Sequence, residues 1–325
     1  RWWSVTAPFA TEPRLIASSE QRIERFGWTT AGTPYFFTRA DDGGIDTWII
    51  FEDGPQRIWS SGEAIRRYGE AGRAIRQDGR RGPVLEIDGH IYLTGYGNAQ
   101  SGPQPFLDSY DLRDRKVERL CTAQRGVFEE ILAILQDDAR SLLTSRETEK
   151  HPPNLYRIDD GRRSALRPYP SPYPALDNAE RQVIRYRRND GLAMTGTLYL
   201  PATWQPGDAP LPTLIWIYPY EFADQEHAER LDVRGYRFHN VKGPSPLAAV
   251  LAGYAVLVNP TVPIVGEGDE VNDTYLEQLV ASAEAALDYL VSERISDPDR
   301  IAVGGRSYGA FSSANLLVHS RRFAT

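Results

Sequence analysis

The sequence predicts two fold classes in one chain: an all-β region built like part of a β-propeller, then an α/β region with a mostly parallel sheet flanked by helices. Three observations predict this. Up to about residue 174, short β runs come in groups of four, divided by Gly, Pro, Asp and Asn turns. Residues 168–174 read Pro-Tyr-Pro-Ser-Pro-Tyr-Pro, a stiff connector in which proline at every second position blocks both helix and central strand. Beyond it, unbroken apolar runs and a helical period follow one another in the order of a parallel, helix-covered sheet. The expected boundary puts residues 1–176 in the last blades of a propeller and residues 177–325 in the α/β domain.

At 325 residues the chain has room for about two domains. It is 41% hydrophobic and 25% charged, ordinary for a soluble globular protein. A net charge of −7 argues against a nucleic-acid surface, which is normally basic. The single cysteine, Cys121, excludes an internal disulfide and a cysteine-based zinc site. Nothing in the sequence calls for another metal or for a cofactor. No apolar run approaches the roughly 20 residues that span a bilayer. The chain opens at Arg1 without an initiator methionine or a signal-peptide pattern, which leaves the compartment open.

In the first region, residues 22–28, 34–39, 47–51 and 56–59 read as four successive strands. Residues 84–87, 90–95, 106–111 and 116–121 form a second set, and residues 130–135, 140–145, 154–158 and 163–166 a third. Four-stranded groups recurring about every 40 to 60 residues are the pattern of propeller blades, and a β-sandwich shows similar spacing. Three blades do not close a ring, so the propeller reading expects more of them upstream of Arg1. The aromatic residues of these runs, among them Trp28, Tyr35, Tyr92 and Tyr110, are expected to pack between sheets.

In the second region, residues 181–187 and 194–201 flank Asn189-Asp190-Gly191, a strong hairpin turn. Residues 212–218 and 254–259 are apolar without alternation, as for strands buried on both faces. Residues 277–292 carry helix periodicity, with Leu279, Ala283, Ala286, Leu287 and Leu290 on one face. A last strand over 301–304 and a last helix over 311–319 enclose Gly305-Arg306-Ser307-Tyr308-Gly309. By residue usage such a pentapeptide arises by chance in roughly one chain in ten of this length, so its context carries the assignment. Between strand and helix it has the form of a nucleophile elbow, and the domain that of an α/β-hydrolase.

A serine needs a base to take its proton and an oxyanion hole to receive the developing charge. The Tyr308 backbone N–H, next after Ser307, is the expected first donor. The second belongs to the loop after the strand ending near residue 218, which reads Ile-Tyr-Pro-Tyr-Glu-Phe over 217–222. Pro219 has no N–H and no glycine is present, so the phenol of Tyr218 or Tyr220 is the substitute. On this fold the acid and then the histidine follow the serine. Here no acid follows Ser307, and His319 lies too far down the helix to reach back. His227 and His239 precede the serine, in the wrong order. The expectation is therefore a chain cut at both ends, with its triad Asp and His beyond Thr325, and residues 1–325 alone inactive.

Residues 186–201, Tyr-Arg-Arg-Asn-Asp-Gly-Leu-Ala-Met-Thr-Gly-Thr-Leu-Tyr-Leu-Pro, and residues 297–309, Asp-Pro-Asp-Arg-Ile-Ala-Val-Gly-Gly-Arg-Ser-Tyr-Gly, resemble the prolyl oligopeptidase family. Residues 263–269, 277–286, 305–311 and 314–319 are most similar to its glutamyl endopeptidase branch. The resemblance covers roughly residues 181–325; the first region matches in pattern alone. It implies Ser307 as nucleophile, Tyr218 in preference to Tyr220 in the oxyanion hole, and cleavage after acidic residues. Arg306 departs from the histidine usual in that branch. An acidic preference requires a cation in the pocket; Arg234 and Arg237 are candidates by location, with solvated loop arginines as the alternative. The function expected is a serine peptidase acting on peptides through an acyl-enzyme. A dipeptidyl- or acylaminoacyl-peptidase, an esterase of the same fold and a non-catalytic propeller scaffold are the alternatives.

Overall fold

A computed structural model describes residues 1–5, 12–39, 45–61, 73–77, 82–97, 104–136, 139–222, 224–229, 237–239, 241, 243–266 and 268–324. The chain divides into two compact units, Arg1–Pro170 with Tyr236–Phe238, and Ser171–Gly235 with His239–Thr325. The change of unit falls inside the proline run, whereas the sequence reading set it after residue 176.

The first unit is built from antiparallel meanders. Strands β1 (Trp2–Ser4) and β2 (Arg14–Ala17) pair alone. Then β3 (Ile23–Trp28), β4 (Pro34–Arg39), β5 (Ile45–Phe51) and β6 (Gly54–Ser61) form a four-stranded sheet in chain order. In the next, β7 (Arg73–Ala74) and β8 (Glu86–Ile87) both pair with β9 (His90–Gly95), followed by β10 (Phe106–Asp111) and β11 (Lys116–Thr122). The last contains β12 (Phe128–Ile134), β13 (Ser141–Glu147), β14 (Asn154–Asp159) and β15 (Arg162–Arg167). Among the described residues these sheets do not close a ring.

Neighbouring sheets share apolar cores. Tyr35 and Ile49 pack with Val84, Ile91 and Tyr110, and Tyr92 and Leu107 pack with Ile131 and Leu142. The predicted burial of aromatic residues holds for Tyr35, Tyr92 and Tyr110. It fails for Trp28, which stays 47% exposed with Trp2 edge-on at 5.0 Å.

The second unit continues with β16 (Glu180–Arg187), β17 (Ala193–Leu200), β18 (Leu211–Ile217), β19 (Tyr220–Phe222), α1 (Gln225–Glu229), α2 (Ala248–Leu251), β20 (Ala255–Val258), β21 (Pro263–Val265), α3 (Tyr275–Ser292), β22 (Ser296–Gly305) and α4 (Tyr308–His319). Its main sheet runs β16-β17-β20-β18-β22. Strands β20, β18 and β22 are parallel, while β16 with β17 and β17 with β20 are antiparallel. Within this chain the sheet is therefore mixed, where a mostly parallel one was expected. The reason is local: the Asn189-Asp190-Gly191 turn folds β17 back on β16, with Gly191 at φ 90°.

Helix α3 covers the sheet with the predicted face, and Leu279, Leu287 and Leu290 are fully buried. Each such leucine contributes about 2 kcal/mol by leaving water. Arg188, at the hairpin end, donates to Asp190 (2.7 Å), to the Pro263 carbonyl (3.0 Å) and to Ser282 Oγ (3.1 Å). It thereby ties the hairpin to β21 and α3. Strand β21 in turn pairs in parallel with β19, which carries the loop after β18 alongside the end of the sheet. In β22 the ladder slips between Ser296 and Ile301, and Asp297 turns the inserted residues by accepting from the Asp299 N–H (3.0 Å) and Arg300 Nε (2.6 Å). Among the described residues no helix is long and apolar enough to cross a membrane.

Candidate active site

Strands β18 and β22 end side by side, with Ile217 opposite Gly305. From Gly305 the chain turns sharply into α4, and Ser307 sits at the tip with φ 54° and ψ −120°. That is outside the left-handed helical well as well as the ordinary regions, a conformation costing on the order of 1–3 kcal/mol. The flanking glycines have a different purpose. A Cβ on Gly305 would collide with the Gly309 backbone, its Cα only 2.7 Å away, and a Cβ on Gly309 would fall on the Ile217 carbonyl oxygen. Two backbone segments must touch here for the turn to be this tight.

A helix begins with four N–H groups that lack intrahelical partners, and a serine at its cap usually satisfies one of them. Ser307 makes no such cap bond. Gly309 N–H donates to the Arg306 carbonyl (2.9 Å), and the Ala310 and Phe311 N–H groups donate to the Ser307 carbonyl (2.9 and 3.2 Å). This leaves the Tyr308 N–H, and the Ser307 hydroxyl itself, without a hydrogen-bond partner among the described residues. An exposed hydroxyl and an open N–H at a helix N-terminus are what attack on a carbonyl and capture of its oxyanion require.

Tyr218 directly follows β18, 40% exposed, and its hydroxyl also has no partner among the described residues. Its ring stands edge-on to Tyr308 (6.2 Å, 86°) and beside Tyr220 (5.2 Å). The structure thus brings Tyr218 and Tyr308 together at the elbow. Tyr308 stacks on Tyr275 (5.6 Å, 20°), and its hydroxyl donates to Glu221 Oε1 at 3.3 Å. Burial, then the neighbouring Tyr275 and Glu221, push the Tyr308 phenol far above its ordinary pKa, so it stays protonated. Tyr275 and Ser312 share a hydrogen bond (2.7 Å), and Ser312 Oγ donates to the Tyr308 carbonyl (2.5 Å). The first of these contacts is not visible in the sequence, because 37 residues separate Tyr275 from Ser312. The aromatic residues at 218, 220, 275, 308 and 311 were the available signal.

Arg234 lies outside the described residues. Arg237 belongs to the first unit, where its Nη2 lies 2.8 Å from buried Glu147 and its guanidinium stacks 3.9 Å over the Phe128 ring. Glu147 accepts also from the Phe238 N–H (3.0 Å). Three of the histidines have other company: His90 faces Asp111 (3.4 Å), His151 bonds Thr148 (3.0 Å), and His239 lies 3.7 Å from Asp177; the side chain of His227 lies outside those described. Among the described residues no group of His, Cys, Asp and Glu could hold a metal ion.

No family model matches the chain. Two curated proteins do, both called "Probable glutamyl endopeptidase, chloroplastic". The rice (Oryza sativa subsp. japonica) protein is 39% identical over 244 residues, 71% of this chain and 26% of its own length. The Arabidopsis thaliana protein is 39% identical over the same span, 25% of its length. The chain belongs to the prolyl oligopeptidase family. It spans about a quarter of the length of the curated relatives it matches. Solved structures of the same fold include Porphyromonas gingivalis dipeptidyl peptidase 4 (TM-score 0.61, 14% identity, 99% of this chain and 44% of that one). Oligopeptidase B from Trypanosoma brucei is another (TM-score 0.60, 13% identity, 98% and 43%), as is apo AtxE2 isopeptidase (0.57, 18%, 98% and 45%).

Proposed function

We propose that this chain carries the nucleophile and oxyanion hole of a serine peptidase. Ser307 Oγ attacks the scissile carbonyl as a base takes its proton. The Tyr308 N–H and the Tyr218 hydroxyl receive the oxyanion, the amine leaves with a proton from that base, and water releases the acyl group. The observation that carries this reading is the backbone of Ser307, held at φ 54° with a hydroxyl that caps nothing beside an unused Tyr308 N–H. The triad Asp and His are assigned to the part of the protein beyond Thr325, and the first unit is read as propeller blades, its meanders being the unit that a propeller repeats.

A preference for acidic residues before the scissile bond is proposed on the relatives' name. Arg237 would have to leave Glu147 to serve it, so that preference falls to another cation or to Arg234. The test is steady-state kinetics of the full-length protein on peptides with Glu, norleucine or Lys before the scissile bond. Ser307→Ala is expected to lower kcat by about 10⁶. Tyr218→Phe is expected to lower it 10²–10³-fold at roughly constant KM, against little change for Tyr220→Phe. Ester turnover without peptide turnover would replace peptidase by esterase, and equal losses in the two Phe variants would remove Tyr218 from its role.

A further inference from the structure

The backbone that carries Tyr218 is held on both sides. Just before it, Ile217 of β18 pairs with Gly305 beside the elbow. Just after it, β19 pairs in parallel with β21, with Tyr220 opposite Pro263 and Phe222 opposite Val265. The Tyr220 N–H donates to the Val262 carbonyl (3.1 Å), and the Gly266 N–H donates to the Phe222 carbonyl (3.0 Å). Only Pro219 separates Tyr218 from this pair, and its ring fixes one of the dihedrals that could absorb a shift. A displacement of β21 is therefore passed on to Tyr218.

Among the described residues β19 and β21 form a two-stranded sheet, so β21 has no strand on its other side. Two side chains stand there instead. Gln278, in the first turn of α3, accepts from the Val265 N–H (2.9 Å) through Oε1 and donates to the Val265 carbonyl (2.8 Å) through Nε2. This exchange of two bonds is what a residue of a neighbouring antiparallel strand would supply. Arg188, only 5% exposed, completes the edge by donating to the Pro263 carbonyl (3.0 Å) and to Gln278 Oε1 (3.3 Å). Thr274 Oγ1 accepts the second hydrogen of Nε2 (2.8 Å). Turned over, the amide would set its NH2 group against the Arg188 guanidinium and the Val265 N–H. One orientation alone satisfies all four contacts. Pro263 has no N–H, so every backbone group that β21 turns away from β19 is bonded.

We propose that Gln278 is a positioning residue for the Tyr218 hydroxyl, acting through β21 and β19, with Arg188 holding its amide in register. The proposal rests on the reading of Tyr218 as an oxyanion donor. Gln278 touches neither the substrate nor the reacting atoms. Its effect is geometric: an oxyanion donor works only at hydrogen-bond distance from the developing charge, and a misplacement of about 1 Å costs up to about 10²-fold in rate.

The test is a double-mutant cycle in the full-length protein, with Gln278→Met, Tyr218→Phe and the two combined. Methionine keeps the length of the side chain and removes both bonds to Val265. Endpoint labelling of Ser307 by a fluorophosphonate probe counts intact sites, so kcat is expressed per labelled site. Gln278→Met is expected to lower that kcat about tenfold at nearly constant KM. In the Tyr218→Phe background it is expected to cost no more than about twofold. Should Gln278→Met yield no labelled protein, Gln278→Glu takes its place in the cycle. It keeps the acceptor for the Val265 N–H and Arg188 but loses the donor to the Val265 carbonyl, for an expected loss of about threefold. If Gln278 merely caps an edge, Tm falls while kcat per labelled site stays unchanged, and that result overturns the proposal. A loss of equal size with and without the Tyr218 hydroxyl overturns it too. Both results leave Ser307 and Tyr218 in their roles. Absence of labelling in the wild type, or no fall in kcat for Tyr218→Phe, overturns those roles and the positioning with them.

Discussion

The turn between β14 and β15 and the turn between β22 and α4 both hold a non-glycine residue at positive φ within two residues of a glycine, yet they use the glycine for opposite reasons. At Asp160-Gly161 the pair closes a two-residue hairpin, with φ of 46° and 78° and Asp159 opposite Arg162. Both residues are left-handed, as a primed hairpin turn demands, and nothing lies within 4 Å of a Cβ added to Gly161. Glycine is there for its backbone freedom. At the elbow the glycines have no positive φ; they are there for want of space, between the Ile217 carbonyl and the next turn of chain. The strained residue is Ser307 itself. One turn relieves strain where it arises, while the other concentrates it on the residue proposed to react.

The largest effect should come from removing the space. Gly309→Ala drives a methyl into the Ile217 carbonyl and is expected to cost ~3 kcal/mol or more, read as a loss of soluble, labelled protein and a fall in Tm. Gly161→Ala meets open space and is expected to cost only the left-handed penalty, about 1–2 kcal/mol, with peptidase activity kept. An equal loss in the two variants would erase the distinction. The smallest effect has the opposite sign. Ser307→Gly removes the strain and the hydroxyl together, and should raise stability by a net of about 1 kcal/mol while abolishing turnover. A fall in stability would mean that the Ser307 conformation is not strained.

The same contrast explains what could be read from the sequence. Hairpin turns announce themselves through residue types at fixed spacing, so Asn189-Asp190-Gly191 and the strands over 90–95, 106–111 and 154–158 are placed within a residue or two. The elbow is legible because a steric demand at two positions and a chemical demand at a third leave a five-residue signature. Helix α4 begins at Tyr308, where the sequence suggested 311, because glycine at 309 weakens a helical signal that packing restores. Pairings between segments of three residues left no local trace. That is the case for β19 with β21, and the bond between Tyr275 of α3 and Ser312 of α4 joins two helices far apart in the chain, which leaves no local trace either. Arg237 shows the limit of reading by location: its sequence neighbourhood is the loop after β18, whereas its partner is Glu147 of β13.

The central claim is that strain at residue 307 presents a nucleophile. It is tested most directly by treating the full-length protein with a fluorophosphonate probe and locating the adduct by peptide mass spectrometry. The account predicts a single adduct on Ser307, lost in Ser307→Ala and blocked by a competing peptide substrate. Active protein that carries the adduct on another serine, or hydrolyses peptides unlabelled, would contradict it.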